Sequence, residues 1–197
     1  MPATRTKRGI GILALALSSM LFSVFVADAH GYTTAPVSRQ MYCADGTVTN
    51  CGEIQWEPQS VEGPKSFPKA GPRDGTICSG GLSRFSQLDD PRGGKWPTGA
   101  VTAGTATFTW RLTAMHATTS FRYFITKDGW TGTKPLTRAD LEPQPFFTKN
   151  WNGRQPGSTV TDTVTVPSGK TGRHLILGVW DIADTGNAFY SCSDVRF

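Results

Sequence analysis

Two histidines in this sequence are placed where their nitrogen atoms could bind one metal ion. His30 follows Ala27-Asp28-Ala29, whose small residues in an A-x-A arrangement are typical of a signal-peptide cleavage site. Cleavage after Ala29 would free the α-amine of His30, which would then offer two donors, its amine and its imidazole. His116 would supply a third nitrogen. Because an α-amine has an unperturbed pKa of about 8, a metal ion can displace its proton at neutral pH.

Such a donor set favours copper. Nitrogen-rich tetragonal coordination with open positions suits copper(II), which also binds most tightly in the divalent series. We therefore predict one copper ion per chain. His116 follows a predicted strand that ends near Thr113, so we expect it on a loop at the end of a sheet, where functional sites tend to lie. The third histidine, His174, lies in an apolar segment, and we interpret it as structural.

The first 29 residues have the three parts of a secretory signal peptide: a basic start, an apolar run over 10–26 and small residues before the cleavage site. We predict a cleaved signal peptide over 1–29 and a secreted, extracellular protein of one domain over 30–197, with no membrane anchor. Cleavage removes three basic residues and one acidic residue, so the formal net charge falls from +5 to +3. With no basic cluster interleaved with aromatic residues, this charge argues against nucleic acid as a partner.

All four cysteines lie after the predicted cleavage site. An even number in an exported protein suggests two disulfides, and four cysteines allow three pairings. We favour a short loop closed by Cys43–Cys51 and a long-range bond, Cys78–Cys192, that ties an early segment to the last strand. The alternative is a zinc site, but the spacings contain no C-x-x-C pair.

The second half of the chain alternates apolar and polar residues with a period of two, which is typical of half-buried strands. The predicted strands cover residues 105–113, 120–127, 159–166, 173–182 and 187–197. Residues 173–182 are apolar on both sides, as in a central strand. Residues 30–104 are rich in Gly and Pro, with short helical turns expected over 82–88. Short β runs without a long helical period predict an all-β antiparallel sandwich.

An aromatic residue flanked by polar groups occurs in Gln55-Trp56-Glu57-Pro58, with Glu62 a few residues further on. This arrangement suits a sugar ring, whose apolar face stacks on the indole while its hydroxyl groups meet the polar neighbours. The alternative is that Trp56 belongs to the core and Glu57 is merely solvated. The hydrolase classes find no support, because the sequence has no G-x-S-x-G elbow, no H-E-x-x-H motif and no carboxylates spaced as a glycosidase pair.

Several segments together resemble the bacterial lytic polysaccharide monooxygenases of auxiliary activity family 10, formerly called chitin-binding proteins. The segments are residues 30–32, 55–63, 112–116, 123–127, 180–185 and 187–190. The resemblance extends over essentially all of 30–197. It implies a fibronectin III-like or immunoglobulin-like β-sandwich with a large loop and short-helix region after the first strand.

The resemblance also implies a role for individual residues. The amine and ring of His30 and the ring of His116 would form a copper-binding histidine brace. Phe189 would be the axial aromatic residue, Ala114 the small residue crowding the other axial side, and Glu62 the carboxylate near the reacting oxygen. The positions that match the flat substrate surface are Trp56, Glu57, Thr113, Asp184 and Asn187. Trp56 departs from the tyrosine that is common in chitin-active members.

The implied activity is oxidative cleavage of crystalline chitin by hydroxylation at C1, with an external electron donor and O2 or H2O2. Cellulose as the substrate and a non-catalytic chitin-binding protein are the alternatives. A periplasmic copper carrier is a third, against which the segment around Trp56 argues. We expect a monomer whose partners are the polysaccharide and the electron donor, with no membrane association.

Overall fold

The computed structural model describes residues 29–197, so the predicted signal peptide lies outside the described residues except for Ala29. Strands dominate this part of the chain. They are β1 (His30–Ala35), β2 (Glu62–Pro64), β3 (Gly99–Ala100), β4 (Gly104–Ala114), β5 (Thr118–Ile125), β6 (Phe147–Asn150), β7 (Thr159–Val166), β8 (Arg173–Ile182) and β9 (Asn187–Arg196). The helical elements are α1 (Arg39–Ala44) and short 3-10 turns at Gly52–Gln55, Ser83–Leu88, Arg92–Gly94 and Arg138–Asp140.

The strands form two sheets that pack as a sandwich. One sheet has the order β1-β4-β7, and the other has the order β2-β9-β8-β5-β6, with the short β3 added in parallel to β9. All other pairings are antiparallel in the described residues. The predicted all-β sandwich is therefore confirmed, and the five strands predicted from the period-two pattern correspond to β4, β5, β7, β8 and β9.

Large aromatic side chains fill the space between the sheets. Trp110 of β4 and Phe121 of β5 are fully buried together with Trp180 of β8. The rings of Phe121 and Trp180 stack with centroids 5.7 Å apart and planes 7° apart. Burying each large apolar side chain contributes about 2–3 kcal/mol relative to exposure. This core gives the site-bearing ends of β4, β8 and β9 a rigid support.

Strand β5 departs from the half-buried pattern that its sequence predicts. Phe121 and Tyr123 face the sandwich core, but Phe124, on the opposite face, is also fully buried. The reason is that the irregular segment between β1 and β3, here called the loop layer, covers the outer face of the six-stranded sheet. Phe67 from this region meets the Phe124 ring edge-on, with centroids 5.3 Å apart.

The irregular segment between β1 and β3 is therefore an ordered layer with its own core. The disulfide Cys78–Cys192 ties it to β9, and Cys43–Cys51 closes a short loop at the end of α1. Both predicted pairings are confirmed, and the zinc alternative is wrong because all four cysteines are oxidised. The predicted helical turn over 82–88 is also present.

A buried ion network links the loop layer to the sheet. Arg39 of α1 donates to Asp194 of β9 at 2.7 Å, and Arg173 of β8 donates to the other oxygen of the same carboxylate at 2.8 Å. His174 is also fully buried, and its ring nitrogens lie within 3.2 Å of main-chain oxygens of Thr126 and Thr171. This environment agrees with a structural His174. Among residues 29–197, no helix has the length and apolar character needed to cross a membrane.

Candidate functional site

The pairing of β1 with β4 brings the two predicted metal-binding histidines to the same end of the sandwich. His30, the first residue of β1, lies opposite Ala114, the last residue of β4. His116 follows only two residues later, in the loop before β5. The Gly31 amide donates to the carbonyl oxygen of Gln59 at 3.0 Å, so the loop layer also holds the start of β1.

The pairing of β2 with β9 brings a second group of residues to this end. Glu62 lies opposite Phe189 in the register of the two strands. The Phe189 ring is fully buried, with its centroid 6.3 Å from that of the His30 ring and 5.1 Å from that of the Trp180 ring. The apolar Phe189 ring thus lies between the His30 ring and the sandwich core.

A hydrogen bond fixes the Glu62 carboxylate. The side-chain amide of Asn187 donates to Glu62 Oε1 at 2.7 Å. The neighbouring residue must be glycine, because a Cβ on Gly63 would lie 2.3 Å from the carbonyl oxygen of Gly80. The close approach of these two backbones therefore determines where β2, and with it Glu62, sits beside β9.

A hydrogen bond holds the main chain of His116, and one ring nitrogen of His116 faces a carboxylate. The Thr118 hydroxyl donates to the His116 carbonyl at 2.9 Å and accepts from Trp180 Nε1 at 2.8 Å. His116 Nδ1 is buried and lies 3.0 Å from Asp184 Oδ1. This contact does not have the geometry of a hydrogen bond. Metal-binding histidines usually turn their second nitrogen towards such a carboxylate, which here leaves Nε2 for a metal.

The donor set in this region fits a copper ion only when the main chain contributes. Within residues 29–197, no three side chains of the His, Cys, Asp and Glu types cluster as metal ligands. Two imidazoles at the same end of the sandwich still provide two nitrogen donors, and a free α-amine on His30 would complete a three-nitrogen set. Such a set matches the preference of copper(II) for nitrogen ligands in a tetragonal arrangement.

The residues predicted to face the substrate lie around these groups. Trp56 is 80% exposed, so the alternative that it belongs to the core is wrong. Thr113, Asp184 and Asn187 are also exposed. Thr113 directly precedes Ala114, Asp184 lies beside His116 Nδ1, and Asn187 donates to Glu62. A cavity of about 490 Å³ opens beside His30. Its lining includes Glu57, Glu62 and Asn187.

Two basic residues at this end escaped the sequence reasoning. Arg84 lines the same cavity, and its Nη1 donates to Glu57 Oε1 at 2.7 Å. Lys65 donates to the carbonyl oxygen of Ile182, at the end of β8, and to the Thr119 hydroxyl. No motif marks either residue, because only the folded loop layer brings them to the site.

Comparison with known proteins identifies the family. A family model described as "Lytic polysaccharide mono-oxygenase, cellulose-degrading" matches residues 30–195. The chain belongs to the lytic polysaccharide monooxygenases of auxiliary activity family 10. This family consists of copper monooxygenases that act on polysaccharides.

Solved AA10 structures resemble the chain throughout the described residues. An AA10 monooxygenase from Streptomyces lividans is 56% identical, with a TM-score of 0.83, over 85% of this chain and 100% of that one. A CBM33 protein from Bacillus amyloliquefaciens in complex with Cu(I) is 41% identical, with a TM-score of 0.78, over 85% of this chain and 99% of that one.

Curated relatives of this AA10 chain are longer. GlcNAc-binding protein A of Shewanella oneidensis is 41% identical over 98% of this chain, but the match spans 40% of that protein. The chain spans about half the length of the curated relatives it matches: the match covers 57% of one relative and 40% of another.

We expect the Asn187–Glu62 hydrogen bond to support turnover. Asn187→Ala would release the Glu62 carboxylate and lower the oxidation rate by about 10-fold, within the range for residues that orient an active-site group. Initial rates on insoluble substrate would measure the effect. At saturating substrate, where loss of a substrate contact by Asn187 has little effect, Glu62→Gln should lower the rate at least as much, and the double variant should be no slower than Glu62→Gln alone. Independent, multiplying losses would show that Asn187 does not act through Glu62.

Proposed function

We propose that this chain, once cleaved before His30, breaks crystalline chitin by copper-dependent oxidation at C1 of the glycosidic bond. The observation that carries the proposal is the β1–β4 register, which sets His30 opposite Ala114, a residue only two positions before His116. Both imidazoles therefore belong to one end of the sandwich, as a shared metal ion requires.

The proposal gives each residue around the histidines a role. The His30 amine, the His30 ring and the His116 ring would hold one copper ion. Phe189 and Ala114 would restrict which further groups can approach the copper ion. When bound and reduced by an external donor, copper would supply the activation of O2 or H2O2. Glu62, held by Asn187, would orient the group that reacts there.

The surrounding surface would bind the polysaccharide. Trp56 would stack on a sugar ring, and polar groups would meet its hydroxyl and amide groups. The residues proposed for these polar contacts are Glu57, Thr113, Asp184 and Asn187. A crystal face cannot enter a deep cleft, so exposure of these side chains suits an insoluble substrate better than a soluble one.

Chitin is the substrate we favour, with cellulose as the alternative. The relative from Shewanella oneidensis is named for binding GlcNAc, the monomer unit of chitin. The description of the family model points to cellulose instead. We further propose that the protein is secreted, that 30–197 is its single catalytic domain and that it acts as a monomer.

The deciding experiment compares products from chitin and cellulose. Copper-loaded protein that begins at His30 is incubated with each polymer and ascorbate, and the soluble products are analysed by mass spectrometry. We expect chito-oligosaccharides with aldonic acid ends. Oxidised cello-oligosaccharides alone would contradict the choice of chitin. Chitin binding without any oxidised product would favour a non-catalytic chitin-binding protein. The exposed Trp56 would suit such a protein equally well.

A further inference from the structure

Glu57 forms an ion pair on the wall of the cavity beside His30, and its partner, Arg84, has no part in the roles given so far. Arg84, in the 3-10 turn Ser83–Leu88, donates from Nη1 to Glu57 Oε1 at 2.7 Å. The two side chains are 45% and 29% exposed. An exposed ion pair of this kind adds little to folding stability. Its position, rather than its strength, therefore indicates what it does.

Arg84 is itself held in place. Its guanidinium lies over the ring of Phe85, 4.2 Å from the centroid, and Phe85 is fully buried. The planar guanidinium offers donors in a fixed arrangement, so an arginine anchored on an aromatic ring can orient a carboxylate. Arg84 thus gives Glu57 a partner that is fixed to the loop-layer core.

Glu57 belongs to a short segment that is tied to the start of β1. The Ser60 amide donates to the Glu57 carbonyl at 3.0 Å, and the Gln59 carbonyl accepts from the Gly31 amide at 3.0 Å. The main chain around Glu57 is therefore fixed relative to His30. In the described residues, the side chain of Glu57 has Arg84 as its one hydrogen-bonding partner.

The charges lining the cavity also indicate that Arg84 keeps Glu57 in place. Its lining side chains include two carboxylates, Glu57 and Glu62, and Arg84 is the one permanent cation among them. Two carboxylates on one cavity wall repel each other, so a cation on that wall favours keeping Glu57 at the cavity. With Arg84, the carboxylate stays at the cavity wall.

We propose that Arg84 is a positioning residue that holds the Glu57 carboxylate ready to bind the polysaccharide. The proposal rests on the proposed function, because it takes Glu57 as a residue that contacts the substrate. A glutamate side chain loses much rotamer freedom when it is immobilised on binding, and an ion pair that restrains it beforehand removes part of that loss. Arg84 therefore raises affinity for the insoluble polymer without touching the metal site.

The test measures binding of the copper-free protein beginning at His30 to insoluble chitin. We expect Arg84→Ala to weaken binding by roughly three- to tenfold, the scale of one immobilised side chain. Arg84→Lys should restore only part of the affinity, because the charge remains but the planar guanidinium that lies over Phe85 is lost. Glu57→Ala should weaken binding similarly, and adding Arg84→Ala to it should cause no further loss. Asp74→Asn, which disrupts the Arg138–Asp74 ion pair outside the cavity lining, serves as the matched control and should bind normally.

Two readouts separate positioning from a general structural effect. The copper EPR spectrum of Arg84→Ala should equal that of the unmodified protein, and the melting temperature should change by no more than about 3 °C. If Arg84→Ala binds chitin as well as the unmodified protein does, or weakens the Glu57→Ala variant further, Arg84 does not act through Glu57. If the unmodified protein binds neither chitin nor cellulose, the proposed function fails, and this inference fails with it.

Discussion

A single residue added before His30 is expected to abolish copper binding while leaving the fold intact. An added residue converts the α-amine of His30 into a peptide nitrogen, whose lone pair is delocalised into the carbonyl group. The site would keep two imidazoles but lose the third donor that it needs. We expect the affinity for copper to fall by at least about 100-fold and oxidised products to fall below detection.

The measurement that isolates this effect does not depend on turnover. A ligand that binds only the folded state raises the free energy of unfolding, by about 4 kcal/mol at a concentration 1,000 times its Kd. Copper should therefore raise the melting temperature of protein that begins at His30 and leave that of the extended protein unchanged. Proteolytic removal of the added residue should restore the shift, which makes the extended protein its own control.

The side chains can be tested in the same way. His30→Ala and His116→Ala should each lose the copper-dependent rise in melting temperature, whereas His174→Gln, which alters a buried histidine away from the site, should keep it if the protein folds. A normal copper response in the extended protein would show that the His30 amine is not a ligand. A normal copper response in His116→Ala would contradict a copper site shared by His30 and His116.

Loss of the Cys78–Cys192 disulfide is expected to have the largest effect on stability. The two cysteines are separated by 114 positions, so the bond closes a very long loop in the unfolded chain. Loop-closure entropy for that length corresponds to about 5 kcal/mol. The double variant Cys78→Ser/Cys192→Ser should therefore melt roughly 10–20 °C lower, given the usual shift per kcal/mol for a domain of this size.

The second disulfide provides a matched control. Cys43 and Cys51 are only 8 positions apart, for which the same relation gives about 2.5 kcal/mol. Cys43→Ser/Cys51→Ser should accordingly lower the melting temperature about half as much. Equal losses in the two double variants would mean that local packing, rather than the length of the closed loop, determines the contribution of each bond.

The sandwich strands were predictable because an alternating pattern reports which face of a strand is buried. The pattern over 159–166 matches β7 residue for residue, and its buried and exposed positions alternate as expected. The same reasoning failed for the outer face of β5. Phe124 is buried there by Phe67, a residue 57 positions earlier that period-two reasoning cannot see.

The loop layer limited prediction of the site in the same way. The sequence could not decide whether Trp56 is buried, because a tryptophan before a glutamate suits a core as well as a surface. Its 80% exposure follows from the packing of the surrounding segment. Arg84 and Lys65 carry no motif at all, and their contacts join residues 27 and 117 positions apart.

By itself, the sequence determined the types of donor and the strands β4, β5, β7, β8 and β9, because these depend on residue chemistry and local periodicity. It favoured, but did not determine, one of the three possible cysteine pairings. Only the tertiary structure decided that β1 meets β4 with His30 opposite Ala114, and that β2 meets β9 with Glu62 opposite Phe189. Strand register is a long-range property, fixed by the packing of faces and by close backbone approaches such as that of Gly63 to Gly80. The site lies where these two registers meet.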